Sequence, residues 1–394
     1  MKPLKISDGI YWLGVIDWNV RNFHGYSTYH GSTYNSFLIV DKKITLIDTV
    51  KAEFGDELIS AISQIVDPKK IDYVISNHTE MDHSGSLPKV MQVIGENKPI
   101  YCSKMGQKNL SRHFPVKLNY KPVGDGDKLS LGDKTLTFIE TRMLHWPDSM
   151  FTYIIEDKIL FSSDAFGQHY AGLQRFDDQI GEAIMPHAKK YFANILLLYS
   201  PLILKLVDKI EETGLAIDMI CPDHGILWRK EPLEIINAYV EWSKQKPKNK
   251  AVIIYDTMWH STEQMAMAIV SALAQNGVDA MPMCLNKCHR SDIMTEVIDA
   301  GAIIVGSPTL NNGLFPSVSD FLTYMKGLKP KNKIAAAFGS YGWSGEAVNL
   351  INKEFEQMNF EVVGPGLKIQ YVPDKEGVEA CYELGRKISA AMPK

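Results

Sequence analysis

Between residues 77 and 85 the chain reads Asn77-His78-Thr79-Glu80-Met81-Asp82-His83-Ser84-Gly85, which places four metal-capable side chains within six residues. In an extended turn the alternate residues His78, Glu80 and Asp82 point the same way, and His83, adjacent to Asp82, can reach a second ion. Taken alone, the segment also reads as a polar turn capped by Asp82 or Ser84. Three further loops argue for ligation. His145 lies in Met143-Leu144-His145-Trp146-Pro147, Asp164 in Phe161-Ser162-Ser163-Asp164-Ala165-Phe166-Gly167, and His224 in Cys221-Pro222-Asp223-His224-Gly225. Each sits where an apolar strand empties into a loop. Four histidines and three carboxylates are too many for one ordinary ion. They suit two: His78, Glu80 and His145 on one, Asp82, His83 and His224 on the other, with Asp164 bridging. Two ions held that close can act on one small substrate or on a pair.

A second constellation lies further along. Thr257, Met258, Trp259, His260, Ser261 and Thr262 directly follow the apolar run Ala251 to Tyr255 and precede a helix pattern, Met265 to Leu273. Hydroxyls at 257, 261 and 262, together with helix N-terminal amides, suit a phosphate monoester. The segment has no Gly-Lys-Ser/Thr and no Gly-x-Gly-x-x-Gly, which argues against an ATP-type loop and a dinucleotide. Two more strand-end loops follow: Ser307, Pro308, Thr309, Leu310, Asn311, Asn312 and Gly313, then Ser340, Tyr341, Gly342, Trp343, Ser344 and Gly345. Trp259, Tyr341 and Trp343 can flank a planar ring, while the small residues let backbone amides approach it. The three loops describe one site for a phosphate and a flat heterocycle.

The elements that must position these residues fall into two halves. In the first, Ser36 to Val40 and Ile44 to Asp48 flank the turn Asp41-Lys42-Lys43 and predict a hairpin. A helix pattern follows at Glu57 to Ile65, then strands at Ile71 to Ser76, Thr135 to Glu140, Thr152 to Ile155, Ile159 to Ser162 and Ala216 to Cys221. Hairpins with helices between some strands predict layered sheets with outer helices, an α+β arrangement. The second half alternates apolar strands (Ala251 to Tyr255, Ala302 to Gly306, Ile334 to Phe338) with segments that include helix patterns, which predicts an α/β doubly wound parallel sheet. The polar run Lys244-Gln245-Lys246-Pro247-Lys248-Asn249-Lys250 is the expected seam, with domains at 1–247 and 251–394.

Composition fits this reading. The 394 residues are 45% hydrophobic and 22% charged, which excludes a disordered chain. A net charge of -4 gives no basic field for nucleic acid, so no nucleic-acid partner is expected. No uninterrupted apolar stretch reaches the roughly 18 residues of a membrane helix, and the N-terminus lacks a signal-peptide core. The expectation is a cytoplasmic protein with no membrane partner. The five cysteines are odd in number and scattered, which reads as reduced thiols. Cys284 and Cys288 lack the second cysteine pair that a zinc or rubredoxin-type iron site requires.

The order of the ligand residues resembles the metallo-β-lactamase fold, whose hydrolases carry His-x-His-x-Asp-His. Glu80 here occupies the second histidine position, and a hard anionic ligand there favours iron. The chain is more similar to flavodiiron proteins, or A-type flavoproteins, whose motif is His-x-Glu-x-Asp-His followed by a later His, a bridging Asp and a last His. All seven positions match, and the loops after 255, 306 and 339 resemble those of flavodoxin-like FMN domains. The resemblance implies a metallo-β-lactamase-like αββα sandwich followed by a flavodoxin-like sheet, binding two iron ions and FMN. It implies reduction of O₂ to water, of NO to nitrous oxide, or of both. Two irons and a flavin together hold the four electrons that O₂ needs, whereas two NO need two. It further implies a head-to-tail homodimer, or a dimer of dimers, and His24 and Tyr191 as hydrogen-bond donors near a gas pocket. His169 reads as a neighbour of the ligands, and His30, His113, His187, His260 and His289 have no metal role. The chain lacks the paired Cys-x-x-Cys knuckles of a rubredoxin, so an external donor is expected, either a separate rubredoxin or a reduced F420-type cofactor. The alternative reading is a dinuclear metal hydrolase joined to a flavodoxin-like module.

Overall fold

A computed structural model describes residues 2–392. Contacts divide the chain into two compact units. The first comprises 1–24, 28–191 and 201–240, and the second 25–27, 192–200 and 241–394.

The first unit is built on two sheets. The larger has seven strands in the order Leu4–Ser7, Ile10–Trp12, Phe37–Ile39, Ile44–Ile47, Ile71–Ser76, Pro99–Ser103 and Asn119–Val123. The smaller has five, Lys128–Ser130, Thr135–Glu140, Met150–Ile154, Ile159–Phe161 and Met219–Cys221. Strand alternation decides which side chain faces which layer. Phe37, Ile39, Ile47 and Ile75 point into the core between the sheets, against Phe138, Met150, Ile154 and Phe161. Their neighbours Leu38, Leu46 and Val74 point the other way, onto Leu58 and Ile62 of the helix Gly55–Ser63 and Val90 and Met91 of the helix Leu87–Ile94. Outside the smaller sheet, Tyr239 of the helix Pro232–Lys244 packs on Phe166. The layers are helix, sheet, sheet, helix. Each fully buried Leu, Ile or Phe contributes about 1.5–3 kcal/mol, and this apolar frame offsets the cost of the polar centre described below.

The predicted hairpin forms, with Phe37 paired to Ile47 and Ile39 to Thr45. The strand expected over 216–221 is shorter, Met219–Cys221, pairing in parallel with Ile159–Phe161. The helical run 177–213 is long and apolar enough by length and composition to cross a membrane, but 56% of its apolar window is buried, as in a core helix.

The second unit has a parallel sheet in the order Asp279–Cys284, Lys248–Tyr255, Ala300–Gly306, Ile334–Tyr341, with Glu361–Val362 and Leu367–Gln370 both paired to the last of these. Numbered along the chain this is order 2-1-3-4-5, the flavodoxin-like winding. The first strand begins three residues earlier than its apolar run, inside the polar seam. Lys250 is buried there because Glu296 and Asp299 pair its ammonium.

Candidate metal and flavin sites

In the first unit the ligand loops all leave the sheets at strand ends. Residues 77–83 follow Ile71–Ser76, Asp164 follows Ile159–Phe161 and His224 follows Met219–Cys221. His145 lies in the connection from Thr135–Glu140 to Met150–Ile154. Asp164 is bracketed by left-handed backbone at Ser163 (φ 53°) and Phe166 (φ 67°). Non-glycine residues in that region cost about 1–3 kcal/mol each and persist only where the surrounding structure holds them.

The seven side chains meet. Oδ2 of Asp164 lies 2.8 Å from Nε2 of His145 and 3.5 Å from Nε2 of His78, and Oε2 of Glu80 lies 3.2 and 3.3 Å from the same two nitrogens. The other oxygen of Asp164 lies 3.1 Å from Nε2 of His83 and 3.4 Å from Nε2 of His224. Oδ2 of Asp82 is 3.3 and 3.2 Å from that second pair. The bridging carboxylate thus serves one oxygen to each group of ligands. None of the seven side chains is more than 17% exposed.

Two observations fit these residues to metal ions. Donor atoms bound about 2.1 Å from one ion lie about 3.0–3.4 Å apart, and the spacings found, 2.8 to 3.5 Å, bracket that range. Oδ2 of Asp82, Nε2 of His83 and Oδ1 of Asp164 are buried without a hydrogen bond, although the two oxygens lie 3.3 and 3.1 Å from that nitrogen. Their lone pairs converge on points between them, and polar atoms this deep require a partner. Protons compete for the same lone pairs. Burial opposes charge on His83, but the carboxylates of Asp82, Asp164 and Asp223 outweigh it and push its pKa up to about 10. Burial likewise opposes charge on Asp164, and His83 and His145 hold it well below the ordinary carboxylate range.

Around the ligands lie residues that the sequence reading missed. Nδ1 of His224 donates to the Thr33 carbonyl at 2.7 Å, leaving Nε2 for the centre. Nδ1 of His78 faces Oδ2 of Asp148 at 3.1 Å. Asp48 accepts from the backbone N–H and the side-chain amide of Asn77 at 2.7 and 2.8 Å. Burial nonetheless pushes the Asp48 pKa up to about 6. Asp223 lies 3.7 Å from Nδ1 of His83, and burial, with Asp48 beside it, raises it far above its ordinary value. Asp148 and Asp223 sit one to three residues from recognised ligands. That adjacency was the available signal, because metal-bound histidines need a second partner.

Of the residues read as lying near a gas pocket, His24 is exposed, with Nε2 3.1 Å from Oε1 of Glu80. Tyr191 is buried, its ring 5.9 Å from that of His224 and 5.1 Å from that of His169. His169 bonds Ser32 Oγ at 2.8 Å, and burial with His224 beside it holds it well below its ordinary pKa, as a neutral ring. The Phe23 ring meets those of His24, His169 and His224 edge-on or tilted, at 4.4, 5.2 and 6.2 Å.

In the second unit a cavity of about 410 Å³ opens at the strand ends. Thr257, Met258, Trp259, Ser261, Pro308, Thr309, Leu310, Asn311, Ser340, Tyr341, Gly342 and Trp343 line it. Tyr371, from a fourth strand-end loop after Leu367–Gln370, lines it too and was missed by the sequence reading. The remaining loop residues do not line the cavity. Thr262 Oγ1 bonds Ser340 Oγ at 2.9 Å, and Ser307 Oγ accepts from Phe315 N at 3.1 Å. Nδ1 of His260 turns to Glu263 at 2.6 Å, and Asn312 turns to Glu346 at 3.4 Å. Gly313 closes a two-way bond with Leu310, Gly345 precedes the helix Glu346–Gln357, and Ser344 lies just before Gly345. Thr257 Oγ1 is buried without a partner in the loop four residues before the helix Ser261–Gln275, where a phosphate oxygen would supply one. Trp259 and Trp343, both lining the cavity, are 86% and 84% exposed. All five cysteines are free.

Comparison with known proteins assigns each half of the chain to a family. Residues 33–225 match the ODP family beta lactamase, and residues 253–385 match the flavodoxin family. The chain is 48% identical to a nitric oxide reductase of Moorella thermoacetica, over 99% of this chain and 98% of the relative. It is 42% identical to a coenzyme F420H(2) oxidase of Methanothermobacter marburgensis, over 98% of each. Its fold superposes on rubredoxin oxygen:oxidoreductase from Desulfovibrio gigas with a TM-score of 0.97, at 44% identity over 99% and 98% of the two chains. It superposes on the flavodiiron protein from Giardia intestinalis with a TM-score of 0.95, at 36% identity over 99% and 96%. A lactamase-like metal domain joined to a flavodoxin domain defines a class of flavin- and iron-dependent oxidoreductases. This chain belongs to the flavodiiron protein family.

Proposed function

We propose that this protein reduces O₂ to water, NO to nitrous oxide, or both, with electrons passing from an external donor through FMN to two irons. The observation that carries the reading is the divided carboxylate of Asp164, one oxygen toward each histidine pair. When bound, two irons and FMN would supply the redox chemistry. The chain's own residues supply position. His78, Glu80 and His145 would hold one ion, and Asp82, His83 and His224 the other. His24 beside Glu80 and Tyr191 beside His169 provide polar hydrogens at the edge of the centre. In the second unit Thr257 and Ser261 would hold the phosphate end, and Trp259, Tyr341, Trp343 and Tyr371 the ring. The domain division falls near Pro247.

Relatives bearing the names of a rubredoxin- and an F420H2-dependent oxidase support a donor of either kind. A head-to-tail dimer is supported by exposed apolar residues on both units. Met258, Trp259, Trp343 and Tyr371 rim the flavin cavity, and Met81 and Met143 flank the ligand loops. Such patches mark association surfaces. A cytoplasmic location completes the proposal.

The test is metal and flavin analysis of the purified protein, followed by stopped-flow oxidation of the reduced enzyme by each gas. Two irons and one FMN per chain, with rapid oxidation by either gas, is the expected result. Zinc in place of iron, with ester or lactam hydrolysis, would overturn it in favour of the hydrolase.

A further inference from the structure

We propose that Asp148 is a positioning residue for one half of the metal centre, fixing the tautomer of His78 and clamping the loop that carries His145. A histidine ligates through one nitrogen when the other holds the proton. Nδ1 of His78 donates to Oδ2 of Asp148 at 3.1 Å, which leaves Nε2 free to face Glu80 and Asp164. The same carboxylate oxygen accepts from Thr79 N at 2.8 Å and Thr79 Oγ1 at 2.9 Å, and Oδ1 accepts from Asn109 Nδ2 at 3.1 Å. The backbone oxygen of Asp148 accepts from Ser103 Oγ at 2.7 Å, and Ser103 caps the helix Lys104–His113. One buried residue therefore ties together the loop of His78, the start of a helix and the loop of His145 three residues upstream. The ring of Trp146, next to His145, stands edge-on to His78 at 5.1 Å and closes the same corner.

The second half of the centre is held differently. His224 gives its Nδ1–H to a neutral carbonyl, and Nδ1 of His83 is 3.7 Å from Asp223, beyond hydrogen-bond distance. Losing Asp148 thus loosens the His78, Glu80 and His145 ligands and leaves Asp82, His83 and His224 in place. The inference rests on the diiron assignment proposed above.

The test compares wild type with Asp148→Asn and Asn109→Ala by iron and FMN content, ferrous-chelator titration and Mössbauer spectroscopy. Asp148→Asn turns part of the acceptor into a donor. It is expected to weaken one of the two irons about 10–100-fold, the range for loss of a ligand's outer partner. Iron falls from two toward one per chain, the coupled-pair spectrum gives way to that of a single iron, and FMN content stays at one. Asn109→Ala removes only one donor and is expected to shift the same chelation step by a smaller factor. Asp148→Asn holding both irons at wild-type chelation midpoints, with an unchanged spectrum, would overturn the inference. Should that variant be insoluble, an unchanged midpoint and spectrum in Asn109→Ala would overturn it instead. A wild-type protein without two irons would sink the diiron reading itself, which is a separate outcome.

Discussion

The carboxylate of Asp164 reaches Nε2 of His145 at 2.8 Å with one oxygen, and its other oxygen is buried without a hydrogen bond, turned to the opposite ligands. Of the three ligand carboxylates, Asp164 is the one paired with histidines of both groups. Asp164→Ala is therefore expected to empty both metal positions, not one, while FMN stays bound at one per chain. Reductase activity with either gas is expected to fall by at least about 100-fold. Metal analysis alongside flavin absorbance measures this, and retention of one full iron would contradict the bridging role.

Glu80 lies 3.2–3.3 Å from His145 and His78, a hard oxygen ligand where related hydrolases carry a histidine. Glu80→His is expected to weaken iron retention about 10-fold or more and lower gas reduction in proportion. Zinc competition measured on the same protein should rise. Wild-type reductase rates in the variant would count against the ligand assignment.

Iron and protons compete at His83. Before metal enters, the surrounding carboxylates push its pKa up to about 10, so at neutral pH the ring holds a proton that the ion must displace. The sign follows: apparent affinity for ferrous iron rises with pH, by about tenfold per pH unit for each proton released. Titrations between pH 6.5 and 8.5 in weak buffer should show net acid release on loading. Iron uptake with no change in pH would refute this.

Away from the centre, His187 is pushed down to about 4 by burial, by His30 4.8 Å away and by Lys190. Its folded pKa lies below the unfolded value of about 6.5, so the unfolded chain takes up the proton first. Stability is fully present above pH 6.5 and is lost as pH falls toward 4. The full difference corresponds to about 3 kcal/mol, and solvent screening at this half-buried ring lowers it to about 1–2 kcal/mol. His187→Phe should narrow the gap in thermal midpoint between pH 7.5 and pH 5. An unchanged gap would rule out His187 as its source.

Trp259 and Trp343 are too exposed to support the fold, so replacing either with Ala should leave the melting temperature within about 1–2 °C of wild type. Loss of one stacking face is worth about 1–2 kcal/mol, or roughly 5–30-fold in FMN affinity. Fluorescence titration of the flavin-free protein measures it, and unchanged affinity in both variants would remove the aromatic walls from the site.

Much of this was legible in the sequence because strand ends announce themselves. Apolar runs of four to eight residues, each emptying into a loop with a His, Asp or hydroxyl, located the ligand and flavin loops. Asp148 was not visible, because an Asp after Trp-Pro reads as an ordinary turn until the fold brings His78 to it across 70 positions. Tyr371 was missed for a related reason. Its strand, Leu367–Gln370, alternates polar and apolar residues at the sheet's edge and lacks the solid apolar run of the central strands. Residues 248–250 read as linker because lysines are rarely buried, and the acidic partners that permit it come from positions 296 and 299.

The ligands span residues 78 to 224, and Asp164 has its His224 neighbour only once the strand Met219–Cys221 has paired beside Ile159–Phe161. During synthesis, then, more than half the polypeptide must leave the ribosome before the iron that needs His224 can find a complete cage. The pair of irons is therefore completed late, by a sandwich whose greasy layers have already assembled. Cells starved of iron should accordingly accumulate a folded, flavin-bearing, catalytically silent precursor and not an aggregated one.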